Sequence, residues 1–132
     1  MVAYRDLLDG TVRLLSCGDL TCKERESYAL TGQGWAHPWP TLTVDRTGRP
    51  LVVTYDLTAR QLVLVACKDT GCERRTNVPL DRWDAGPGNT AVTVDRDNRP
   101  VVLRIDIGAA DELFDRGHSD VLTCDRVRCG AP

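Results

Sequence analysis

The sequence predicts an all-β chain made of about two and a half to three four-stranded antiparallel β-propeller blades, each of about fifty residues. Three observations predict it: the chain maps onto itself without a gap when shifted by fifty positions, its apolar residues alternate within short runs, and each unit carries a Cys-x4-Cys pair. The shift puts Cys17 on Cys67, Cys22 on Cys72, Val44-Asp45-Arg46 on Val94-Asp95-Arg96 and Arg49-Pro50 on Arg99-Pro100. Asp6 falls on Asp56, Leu14 on Leu64 and Leu30 on Leu80. The chain therefore reads as a single repeat domain with units 1–50, 51–100 and 101–132. The third unit starts in step, with Val102 and Asp106 matching Val52 and Asp56. It then gains seven residues within Ile107–Val121 before Cys124 and Cys129.

Each unit reads as four strands. The first is Thr41–Asp45, mirrored by Ala91–Asp95. A tight turn follows, with Gly48 or Asn98 supplying the left-handed residue that a hairpin needs. The second strand is Leu51–Tyr55, entered through Pro50, where a missing N–H costs little. The third is Gln61–Cys67, with Leu62, Leu64 and Ala66 on one face and Val63, Val65 and Cys67 on the other. The fourth is expected to start at Cys72 and run to about Val78. No segment has a helical period. A β-sandwich is the rival architecture, but it does not require units of fixed length, and these repeat without a gap. On this reading the first blade lacks its first strand and the last lacks most of its fourth. Fewer than four blades cannot close a ring. The expectation is an incomplete propeller, or a ring completed by further copies of the chain or by a partner chain.

Composition narrows the function classes. The 132 residues carry 17 basic and 19 acidic side chains, with a pI near 5.6. Nucleic-acid binding would need a basic stripe, and none is present. No apolar run reaches the ~18 residues of a membrane span. The N-terminal stretch Met1–Asp6 has no signal-peptide pattern, so the expectation is either an intracellular chain or an export signal that lies outside this sequence. Six cysteines are many for a cytosolic protein and ordinary for a secreted one.

Cys17–Cys22, Cys67–Cys72 and Cys124–Cys129 each bracket a four-residue turn between third and fourth strands. Residues facing each other across a hairpin have Cα atoms roughly 4.5–5.5 Å apart, which suits a disulfide. A loop this small stabilises by roughly 2 kcal/mol in the chain-entropy picture. Structural zinc would want two pairs converging on one ion, and here the pairs lie on separate units. Free thiols are the other alternative.

The run Leu42-x-Val44-Asp45-x-x-Gly48-Arg49-Pro50-Leu51-Val52-x-x-Tyr55-Asp56, followed by Leu62-x-Leu64-x-x-Cys67-x-Asp69-x-x-Cys72, resembles the cysteine-paired propeller repeats of bacterial secreted and surface proteins. These are similar in style to sialidase-type and NHL-type blades. The resemblance covers nearly the whole chain and implies a propeller fold and an extracellular or cell-surface location. It implies a binding scaffold rather than one activity. The sialidase Asp-box is absent, since Val44–Pro50 has neither its Ser nor its Trp.

All three tryptophans fall in the two long connections between units. The first connection holds Trp35, His37 and Trp39, and the second holds Trp83, Asp84 and Asn89. Flat rings with a few fixed polar groups suit carbohydrate, whose C–H faces stack on indole. The alternative is that the rings wedge between units or anchor the loops. Asp6, Asp56 and Asp106 recur at the ends of second strands, where a carboxylate most simply caps a turn. The acidic insertion 111–120 lacks EF-hand spacing. The expectation is a non-enzymatic binding module, lectin-like, for a carbohydrate or protein ligand and without a cofactor. Its rivals are an assembly subunit that joins partner chains by strand addition, and a degenerate sialidase-like hydrolase fragment.

Overall fold

The computed structural model describes residues 1–33, 39–82, 89–105, 119–124 and 129–130. Among these residues there is no helix, and the strands form three small antiparallel sheets. The first sheet has the order β1 (Val2–Arg5), β2 (Val12–Cys17), β3 (Arg25–Ala29). The second has the order β4 (Thr41–Val44), β5 (Pro50–Asp56), β6 (Gln61–Cys67), β7 (Arg75–Arg82). The third runs β8 (Asn89–Val94), β9 (Pro100–Ile105), β10 (Ser119–Cys124), β11 (Cys129–Gly130).

The three sheets stack face to face through two apolar clusters. Val12, Leu14 and Leu30 of the first sheet meet Val52, Val63, Val65 and the Cys67–Cys72 pair of the second. The other face of the second sheet, with Leu51, Val53, Tyr55, Leu62 and Leu64, meets Val102, Leu122 and Cys124 of the third. Side chains alternate across a strand, so β5 and β6 supply both clusters at once, and β5 is buried along its whole length.

The repeat extends to backbone conformation. Left-handed residues come in pairs fifty positions apart: Gly10 with Arg60, Cys22 with Cys72, and Gly48 with Asn98. The turn bonds recur as well. Asp45 and Asp95 N–H donate to the carbonyls of Arg49 and Arg99, both at 2.9 Å, and Gly18 and Lys68 N–H to those of Glu24 and Arg74, both at 2.7 Å. The seven-residue insertion is placed more narrowly than the sequence allowed. Tyr55 pairs with Leu62 and Ile105 with Ser119, so the extra residues fall between 105 and 119.

Two details differ from expectation. The fourth strand of the second unit begins at Arg75 rather than Cys72 and runs on to Arg82. It starts late because Cys72 is left-handed and the Asp69 carboxylate accepts the N–H groups of Glu73 and Arg74, which keeps the chain in the turn. It runs long because the register shifts near Pro79: Val63 opposes Pro79 but Gln61 opposes Arg82, so one extra residue bulges out beside the proline.

The second difference concerns the cysteines. All three pairs are disulfides, with Cα–Cα distances of 4.7, 4.8 and 3.9 Å. Only Cys124 and Cys129 are cross-strand partners. Cys17 and Cys67 oppose Arg25 and Arg75, and their sulfur partners sit inside the turn. Left-handed backbone at Cys22 and Cys72 brings the two Cα atoms within bonding range there.

Candidate functional site

In an up-and-down sheet, the connections alternate between two ends. One end of this stack holds the turns after β2, β4, β6 and β8; the other holds the turns after β1 and β5 and the starts of β4 and β8. Contacts at both ends bring β4 and β8 side by side in the same direction. The hydroxyls of Thr41 and Thr90 lie 3.3 Å apart at their starts, and Arg46 N–H donates to Asn98 Oδ1 (2.8 Å) beyond their ends.

The first of these ends is a set of carboxylate-capped turns. Asp45 accepts the N–H and hydroxyl of Thr47 and the N–H and Nε–H of Arg49, all within 3.0 Å. Asp95 repeats this with Asp97 N–H and with the N–H and Nε–H of Arg99. Asp19 caps the β2–β3 turn through Thr21, Lys23 and Glu24, and Asp69 caps the β6–β7 turn through Glu73 and Arg74. Donated bonds favour the ionised form. The Thr21 hydroxyl, with backbone N–H groups, lowers the Asp19 carboxyl to about 2. Burial pushes Asp45 up, but the Thr47 and Arg49 donors outweigh it and its carboxyl ends well below the ordinary range. Backbone N–H of Arg74 and of Arg99 lowers Asp69 and Asp95 respectively. These carboxylates are committed to the turns that they cap.

At the other end, the recurrent aspartates are caps too. Asp6 accepts Leu8 N–H (3.0 Å) and pairs with Arg13 at 2.9 Å. Asp56 accepts the N–H groups of Thr58 (2.8 Å) and Ala59 (3.0 Å). Asp106 lies outside the described residues. Of the predicted site residues, Trp39 and Asn89 are described. Trp39 is 67% exposed two residues before Thr41, and Asn89 is exposed one residue before Thr90. The Thr41–Thr90 contact therefore brings them to the same end of neighbouring strands. Trp35, His37, Trp83 and Asp84 lie outside the described residues, as does the segment 111–118 of the acidic insertion.

The turns beside Trp39 add a feature that sequence reasoning passed over. Leu7 and Leu8 after β1 are 82% and 98% exposed, and Leu57 after β5 is also exposed. Leu7 and Leu57 are fifty positions apart, so the signal was a repeated apolar residue inside a turn, where a polar one is the rule. This end of the molecule thus combines an exposed indole and exposed aliphatic side chains with carboxylates already engaged by turns. Such a surface can stack on flat or apolar groups.

No family model and no curated protein matches the chain. Among solved structures, the chain is similar to a fucose lectin from Kordia zhangzhouensis in complex with methyl-fucoside, with a TM-score of 0.43 and 8% identity over 98% of this chain and 95% of that one.

Proposed function

We propose that this chain is a non-enzymatic binding module that holds carbohydrate at the end of the sheets bearing Trp39. The observation that carries the reading is the exposure of that indole, 67%, at the entrance of β4. Tryptophan is ordinarily well covered, and one exposed to this extent at a sheet end presents indole surface to the C–H side of a sugar. Asn89 on the adjacent strand is a suitable hydrogen-bonding group for hydroxyls. Asp6 and Asp56 are engaged as turn caps, which supports a structural role for these recurrent carboxylates over a hydrolytic one.

On the same reading the three stacked sheets are propeller blades, whose ring is completed by further copies or by a partner chain. The disulfides fit an extracellular or cell-surface setting. A glycan array probed with the purified chain tests the function: bound glycans should be lost on Trp39→Ala while the melting temperature is unchanged. Retained binding in that variant, or turnover of a glycoside that depends on Asp56, would remove the reading.

A further inference from the structure

A second surface lies between the outer strands of the first and second sheets. A groove of about 930 Å³ opens between the end of β3, at Ala29–Gly32, and the β6–β7 turn. Its polar wall is Lys68, Glu73, Arg74, Arg75 and Asn77, three basic groups against one acidic. Among the described residues, Lys68 and Arg75 have no carboxylate partner. Arg75 donates only to the Cys72 carbonyl at 3.3 Å, and Arg74 reaches Asp69 at 3.4 Å. Asn77 is exposed, with its amide turned to no described partner.

The repeat departs from itself here. The positions of Lys68, Arg74 and Asn77 are held in the first unit by Gly18, Glu24 and Ser27. In the turn that faces the groove Gly and Glu give way to Lys68 and Arg74, while Lys23 gives way to Glu73, a net gain of positive charge. Meanwhile a Cβ built on Gly32 would meet no atom within 4 Å, so the opposite wall stands clear.

We propose that this groove binds an acidic oligosaccharide, whose sulfate or carboxylate groups pair with Lys68 and Arg75. Guanidinium and ammonium groups without a protein counter-ion are available to such anions, and Asn77 can reach hydroxyls. The groove's apolar lining is Ala29 and Leu30, and Leu30 is only 1% exposed. It offers no apolar pocket for peptide side chains, which favours a glycan over an acidic peptide. The site is independent of the Trp39 surface.

Isothermal titration of the whole chain with a sulfated dextran oligosaccharide tests this. Binding should weaken as salt rises. Lys68→Glu should cost about tenfold or more, and so should Gly32→Phe, which fills the groove without changing charge. Arg96→Glu reverses an exposed charge outside the groove and should change affinity by less than about threefold. Trp39→Ala should leave this binding intact. Equal losses in the Arg96 and Lys68 variants, undiminished binding by Gly32→Phe, or equally tight binding of poly-glutamate of the same charge would each overturn the proposal. Unsulfated dextran of the same length should not bind in the groove, and binding unaffected by Lys68→Glu would also overturn it.

Discussion

In the first unit Arg13 stands where the second has Val63, and Leu15 where it has Val65. The two units share their strand pairing, their turn bonds and the positions of their left-handed residues. What separates them is the number of covered faces. The face of the first sheet that carries Arg13 and Leu15 is half-exposed, and the matching face of the second, with Val52, Val63 and Val65, is sealed against Val12 and Leu14. The same backbone accepts a charged residue in one setting and excludes it in the other. Local sequence sets the form of the unit, and its place in the stack sets which of its side chains must be apolar.

The largest expected effect tests this difference directly. Val63→Arg copies the first unit's residue into the second and buries an unpaired charge, which should cost more than about 3 kcal/mol and abolish cooperative unfolding in urea. The reverse exchange, Arg13→Val, removes the ion pairs to Asp6 and Asp9 at a half-exposed site and should change stability by less than about 1 kcal/mol. Similar losses in both would show that the two faces are equally covered.

The capped turns separate the units next. The Asp45 side chain is 7% exposed and that of Asp95 21%. Asp45→Ala should cost about 2 kcal/mol, because four donors lose a charged acceptor that is itself nearly covered, and Asp95→Ala should cost less. The carboxyls of Asp9, Asp19, Asp45, Asp69 and Asp95 all lie below their ordinary value of 3.8 in the fold. The unfolded chain therefore takes up protons first as the pH falls. Their stabilisation is fully present above about pH 4–5 and drains away from there toward pH 2 and below, as each group passes its folded value. Thermal melts between pH 6 and pH 2 should show that fall, and Asp45→Asn should flatten it.

The disulfides differ in cover. Cys67 and Cys72 are buried, whereas Cys17 and Cys22 are half-exposed. Under a limiting reductant, alkylation and mass spectrometry should find Cys17 and Cys22 labelled before Cys67 and Cys72, since attack on a disulfide needs access to sulfur. Simultaneous labelling would mean that the second sheet opens as readily as the first.

The smallest effect concerns one left-handed residue. Arg60 takes the conformation that Gly10 takes in the first unit, with φ of 53° against 73°. Arg60→Gly should stabilise by about 0.5–1 kcal/mol, offset in part by the added freedom of the unfolded chain. A denaturant midpoint that moves downward would show that the Arg60 side chain contributes more than its backbone strain costs.

Much of the fold was readable residue by residue. The third strand of the second unit matches its predicted bounds, Gln61–Cys67, because β-branched and aliphatic residues alternate there between clear turn signals. The Asp6 and Asp56 caps followed from an acidic residue at a strand end. The late start of β7 was not readable, since it depends on Asp69 reaching two N–H groups across the turn. Nor was the groove, because Gly32 and Lys68 lie far apart in the chain and only the stacking of sheets puts them together.

The sequence by itself determined the repeating element: strand lengths, turn chemistry and the sulfur pairs are local properties, written in residues within a few positions of each other and copied fifty positions on. The tertiary structure decided which copies are covered on one face or two, that Thr41 meets Thr90, and that a groove lined by Lys68, Arg74 and Arg75 opens between β3 and the β6–β7 turn. The reason is physical. Hydrogen-bonded turns and pleat alternation act over a few ångströms of chain, whereas burial depends on which surface arrives from another part of it.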